Sequence, residues 1–146
     1  MKVISVVGTK KTGKTTLVCA LVSELSKQGR VGTIKNMADH PVDSGDTKRH
    51  FDSGADMVAG LGQALLIVRR DRGDLESILR EMEAEGMDYV VVEGFKHSVL
   101  PKIVMADIDV PNALCIVHLE DVNPAFVREL AEMVKEMPDY KLSRSE

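Results

Sequence analysis

The chain has 146 residues, 44% of them hydrophobic and 29% charged, with a formal net charge of −4. That balance excludes a disordered or fibrous chain and suits one domain of ordinary size with a sizeable apolar core. Three Phe, two Tyr and no Trp, together with the acidic charge, argue against a nucleic-acid partner, which asks for stacking rings or a basic face.

The amino-terminal run Met1-Lys2-Val3-Ile4 enters a short apolar strand and is too brief for a signal segment. No apolar stretch approaches the ~20 residues of a membrane span. The expectation is a cytoplasmic chain with no membrane partner. Cys19 and Cys115 lack CxxC spacing and sit in apolar runs, so both are expected to be reduced core thiols.

Val3 to Val7 is nearly continuous in apolar residues, as in a strand covered on both faces. A glycine-rich turn follows. Leu17, Leu21 and Leu25 then recur every four residues, a helix stripe that Gly29 is placed to end. Val31 to Ile34 reads as a strand. Residues 35–53 are polar, contain Pro41 and Gly45, and predict a loop followed by a short helix. Ala64 to Val68 reads as a strand. Asp74 caps a helix carrying Leu75, Ile78, Leu79 and Met82, and Gly86 closes it. Tyr89 to Val92 is a buried strand ending at Glu93-Gly94. Ile103 to Met105 and Leu114 to Val117 are further strand candidates. Asn123-Pro124 supplies a cap and a first-turn proline for a helix carrying Val127, Leu130, Ala131 and Val134. Residues 138–146 form a polar tail.

Alternating strands and helices predict an α/β fold of three layers, a mostly parallel sheet flanked by helices, in a single domain spanning 1–146. Ligands of such sheets bind at the carboxyl ends of the strands. The turns at Gly8 and at Glu93-Gly94 both fall there.

Gly8-Thr9-Lys10-Lys11-Thr12-Gly13-Lys14-Thr15 fits the pattern G-x-x-x-x-G-K-[ST] of a phosphate-binding P-loop. Gly8 and Gly13 allow close backbone approaches that a Cβ would obstruct. The turn aims N–H groups at phosphate oxygens, and the helix start adds positive potential. Lys14 reaches the β- and γ-phosphates, and the Thr15 hydroxyl is placed to hold Mg²⁺. Thr16 completes the run. A P-loop site also needs a strand-end acid for the cation, and Glu93 fits that need. Gly94 would let the chain turn close to the γ-phosphate.

Four stretches resemble the molybdopterin-guanine dinucleotide biosynthesis protein B family, MobB, in order along nearly the whole chain. They are Gly8 to Leu17; Ile34-Lys35 with Asp46-Thr47 and Gly54-Ala55; Val92-Glu93-Gly94-Phe95-Lys96-His97 with Pro101-Lys102-Ile103-Val104; and Asp109-Val110-Pro111 with Asp121-Val122. The third is the most specific to the family. The chain departs from the family at Asn36 to His40, where histidines are usual. Ser44-Gly45-Asp46-Thr47 is also shortened, as is the segment between Val104 and Asp109.

The resemblance implies a homodimeric protein that binds GTP with Mg²⁺ and hydrolyses it slowly. It would assist attachment of GMP to molybdopterin beside a separate guanylyltransferase, MobA. By position, Lys14 and Glu93 would act in hydrolysis. Thr15 and Glu93 would hold the metal. Asp46 would join them from a mobile segment.

The remaining features carry two readings each. Asp109 either meets guanine or caps a turn, since an Asn-Lys-x-Asp element is absent. Lys48-Arg49-His50 meets a second ligand's phosphate or is a solvated helix face. Lys96 and His97 could line the cleft. His40, His50, His97 and His118 lack metal-ligand spacing. Met82, Met133 and Met137 fit helix faces that pack inward or toward a partner. The rival functions are a small-molecule kinase or ligase of the dethiobiotin-synthetase kind, and a non-catalytic adaptor whose nucleotide orders a docking surface. A metallochaperone GTPase is disfavoured, because no His-rich or Cys-rich run is present.

Overall fold

The computed structural model describes residues 1–38 and 45–143. The expectations that fell on Asp39, His40, Pro41, Ser44 and 144–146 lie outside the described residues. In chain order the elements are β1 (Lys2–Val7), α1 (Lys14–Leu25), β2 (Val31–Lys35), α2 (Asp46–Asp52), β3 (Met57–Leu61), β4 (Leu65–Arg69), α3 (Leu75–Ala84), β5 (Tyr89–Glu93), β6 (Lys102–Val104), β7 (Ala113–Ile116) and α4 (Pro124–Glu136). The chain divides into two compact units, Met1–Asn36 with Ile78–Glu146, and Met37–Ser77.

The first unit holds a five-stranded sheet in the order β2-β5-β1-β6-β7. Every neighbouring pair is parallel. Strands covered on both faces have no solvated side, which is why β1 and β5 are runs of Val and Ile rather than alternations. Ile4, Val6, Val91 and Ile103 pack with Leu17, Leu21 and Leu25 of α1 and Leu130 and Val134 of α4. Most of these side chains are fully buried, and each contributes roughly 1.5–3 kcal/mol of apolar transfer. Val31 packs on this same core. Successive strand residues face opposite ways, so Gly32 faces the other side. There a Cβ on Gly32 would come within 2.6 Å of the Met82 Sδ on α3. Helices therefore cover both faces, as the three-layer expectation requires.

The local signals for helix ends hold. Asn123 Oδ1 accepts the Phe126 N–H at 3.0 Å, with Pro124 in the first turn. Asp74 Oδ1 accepts the Ser77 N–H at 2.8 Å, and Ser77 Oγ accepts the Asp74 N–H at 2.9 Å. Gly86, at φ 77°, follows α3 in the left-handed region. The end of α1 differs from expectation: the helix stops at Leu25 and turns carry the chain on to Gly29.

The second unit contains α2 and an antiparallel hairpin of β3 and β4. The Ala64–Val68 strand is thus real, but its hydrogen-bonded partner is β3, a strand that alternation alone did not reveal. Arg70 ties this unit together. Its guanidinium lies 4.1 Å over the Phe51 ring and donates to the carbonyls of Phe51 and Ala55.

One expectation is overturned in part. Both thiols are free and Cys115 is half-buried against the core, as expected, but Cys19 is exposed. The buried stripe of α1 is Leu17, Val18, Leu21 and Leu25. Its pitch turns Cys19 away from the core, although apolar residues flank it in sequence.

Candidate nucleotide-phosphate site

Residues 8–13 join the carboxyl end of β1 to the first turn of α1. A Cβ at Gly8 would stand 2.7 Å from Thr12 Oγ1 and 3.1 Å from the Met105 carbonyl, so a side chain there would force the loop or its neighbour to shift. Lys11 (φ 62°) and Gly13 (φ 89°) are both left-handed, which curls the loop back on itself. Thr12 Oγ1 donates to the Thr9 carbonyl at 3.1 Å, and Lys14 Nζ donates to the same oxygen at 2.5 Å. The amino end of α1 has Gly13 as its cap residue and no side-chain cap. Its first N–H groups are thus not taken by a capping side chain, the arrangement that receives anions at helix starts. Thr9, Lys10, Lys11, Thr15 and Thr16 are exposed.

The sheet order brings the acid to this loop. β5 lies beside β1, with Glu93 in register with Val6. Thr15 Oγ1 donates to Glu93 Oε1 at 2.9 Å across 78 positions of sequence. Lys35 Nζ, at the end of β2 on the other side of β5, stands 3.7 Å from the same oxygen. The Glu93 side chain is only 12% exposed. Lys35 was not among the site residues expected from sequence; the signal available was its place at the carboxyl end of a strand. Gly94 (φ 97°) turns the chain away, and a Cβ there would meet the Asn36 Cβ at 2.9 Å.

The remaining expected residues have the following surroundings. Asp46 opens α2 in the second unit, where Arg49 Nη1 lies 3.3 Å from its Oδ1. Lys48 pairs with Asp52 one turn on. Those pairings give Lys48 and Arg49 the character of a solvated helix face. Asp109 is exposed in the return 105–112, two residues before Pro111. Among the described residues no group of three or more His, Cys, Asp or Glu is arranged to hold a metal by itself. No helix among them is long and apolar enough to cross a membrane.

A parallel sheet flanked by helices, with a two-glycine loop between β1 and α1 and an acid ending the adjacent strand, defines a P-loop NTPase-like α/β protein. Residues 3–127 match the family described as molybdopterin guanine dinucleotide synthesis protein B, MobB. The chain belongs to that family. It is 36% identical over 112 residues to a Methanocaldococcus jannaschii protein described as a molybdopterin-guanine dinucleotide biosynthesis adapter protein; the match covers 72% of this chain and 47% of the relative. It is 30% identical over 110 residues to a Bacillus subtilis protein of the same description, covering 70% of this chain and 64% of that one. The aligned chain thus spans about half to two thirds of these relatives. In structure it is similar to Bacillus subtilis MobB (TM-score 0.73, 21% identity, 94% of this chain and 100% of that chain). It is also similar to a MobB homologue from Bacillus stearothermophilus (TM-score 0.70, 25% identity, the same coverage).

Proposed function

We propose that this chain is a GTP-binding adapter of molybdopterin guanine dinucleotide synthesis, holding GTP–Mg²⁺ at the loop Gly8–Thr16 and hydrolysing it slowly. The observation that carries the reading is the 2.9 Å hydrogen bond from Thr15 to Glu93. In P-loop sites a hydroxyl at this loop position and a strand-end acid flank the cation between the β- and γ-phosphates. The two glycines fit a loop that must curl tightly, since a Cβ at Gly8 would press on Thr12 Oγ1 and the Met105 carbonyl and Gly13 is left-handed. Thr15 and Glu93 would hold Mg²⁺, and the proposal needs no third ligand from Asp46. The cation, when bound, neutralises charge developing on the transferred phosphoryl group.

The chain's own residues divide the remaining tasks. Loop amides and the α1 start grip phosphate oxygens. Lys14, swung from the Thr9 carbonyl, places its charge on the β- and γ-phosphates. Glu93 engages Thr15 and faces Lys35, the position of a cation ligand; no side chain is assigned as general base, and slow turnover is proposed on that ground. Arg70 and Arg80 donate to backbone carbonyls, so neither gives support to a kinase with an arginine-bearing lid. The adapter descriptions of the relatives support a partner in the pathway, with MobA, molybdopterin and a second copy of this chain as the proposed partners. Guanine preference is proposed without a residue assignment, and Asp109 is not needed for it.

The test is calorimetric titration with GTP, ATP and molybdopterin, each with and without Mg²⁺. GTP should bind, more tightly with the cation. Lys14→Ala should weaken binding roughly tenfold to a hundredfold, the loss of a charged hydrogen bond. Equal binding by this variant overturns the proposal.

A further inference from the structure

Among the described residues, the buried polar or charged side chains are Ser5 and Lys102. They are not scattered. Ser5 on β1 and Lys102 on β6 are register partners in neighbouring parallel strands. Ser5 and two of the three Lys102 hydrogen bonds reach one segment, the strap 94–101 between Glu93 and β6. Ser5 Oγ donates to the Gly94 carbonyl at 2.6 Å. Lys102 Nζ donates to the carbonyls of Ser98 at 2.5 Å and Leu100 at 2.8 Å, and to Pro111 at 3.0 Å. An ammonium has three N–H donors and here meets three acceptors. A fully buried lysine is rare unless satisfied in this way.

The strap has reason to need holding. It opens with two consecutive left-handed residues, Gly94 (φ 97°) and Phe95 (φ 58°). The second is a bulky residue in a region that L side chains avoid, and such strain persists only where the surroundings over-determine it. The strained step begins one residue after the acid that faces Thr15. The Gly94 peptide is held from both ends, its N–H on the Val6 carbonyl at 2.9 Å and its carbonyl on Ser5.

We infer that Ser5 and Lys102 form an internal clamp that fixes the strap after Glu93 and so positions the Glu93 carboxylate for the cation. Both are positioning residues; neither touches the ligand. The inference rests on the proposed GTP–Mg²⁺ reading for its functional half and on the hydrogen bonds for its structural half.

Ser5→Ala, which removes one oxygen and keeps the backbone, separates the two. Amide hydrogen exchange of the full chain should show the Gly94 and Ser98 amides exchanging about fivefold faster, the worth of one lost hydrogen bond. Leu130 on α4 should be unchanged. GTP titrations over a Mg²⁺ series should show the Mg²⁺ midpoint raised by a similar factor, with Mg²⁺-free GTP affinity unaltered. A residue that only stabilises the fold would lower the melting temperature without moving that midpoint. Unchanged exchange in the strap overturns the clamp. Faster exchange with an unmoved midpoint overturns its role at the metal. Wild-type protein that binds no GTP defeats the nucleotide reading instead, and the exchange result still decides the clamp. Lys102→Met, if folded, should accelerate Ser98 exchange more than Ser5→Ala does.

Discussion

The Thr15 hydroxyl donates to Glu93 Oε1 at 2.9 Å, joining the first turn of α1 to the last residue of β5. They stand 78 positions apart in sequence, with the whole second unit between them. The pair exists because β5 is inserted directly beside β1 in a parallel sheet, which puts both carboxyl ends at one edge.

Removing the charge at Glu93 while keeping its shape isolates the cation's contribution. Glu93→Gln should bind GTP without Mg²⁺ about as well as the parent, because the loop amides and Lys14 are untouched. It should lose most of the Mg²⁺-dependent gain. Titration at saturating and zero Mg²⁺ checks this, and a full gain retained by the variant excludes Glu93 as a ligand.

Gly13 occupies φ 89° at the cap of α1, and a Cβ there would come within 2.6 Å of Leu119 Cδ1. Leu119 is 48% exposed and can swing away. The cost of Gly13→Ala therefore comes chiefly from backbone strain, about 1 kcal/mol. Urea unfolding should register that loss, and nucleotide affinity should fall with it as the loop relaxes.

The two thiols should react at distinct rates. Cys19 is exposed, whereas Cys115 is half-buried and its thiol is pushed above the ordinary value by burial. Reactivity follows thiolate content and access. A chromogenic disulfide reagent should therefore modify Cys19 first in the folded protein. Mass spectrometry after partial labelling identifies the site, and preferential modification of Cys115 would contradict the placement.

Burial also lowers the Lys102 ammonium below its ordinary value of 10.5. Between the folded and unfolded values, the unfolded chain binds more protons at this position. Stability from this group consequently rises with pH as 10.5 is approached from below. Denaturation midpoints across that alkaline range should show a more positive slope for the parent than for Lys102→Met. Parallel slopes would mean that the buried amine titrates as it does in the unfolded chain.

Much of the architecture was legible in the chain itself. The loop from Gly8 to Thr15 is recognisable because its tasks are local: two glycines, a lysine and a hydroxyl at fixed spacing make the cradle wherever a strand meets a helix. The caps at Asp74 and Asn123 and the turn at Gly86 were legible for the same reason, since each satisfies backbone groups within a few residues. Periodicity marked the buried stripe of α1 and the mostly apolar runs of β1 and β5.

What periodicity cannot state is which strand lies beside which. The parallel neighbours β1 and β5, the register of Val6 with Glu93, and the approach of Lys35 to the same carboxylate depend on packing between distant segments. The antiparallel β3–β4 hairpin, the exposure of Cys19 and the burial of Lys102 under three carbonyls were decided in the same way. A residue's chemistry and its local angles are written along the chain. Its neighbours across the sheet are chosen only when the apolar faces close on one another, because the free energy of burial belongs to the assembled core and not to any one segment.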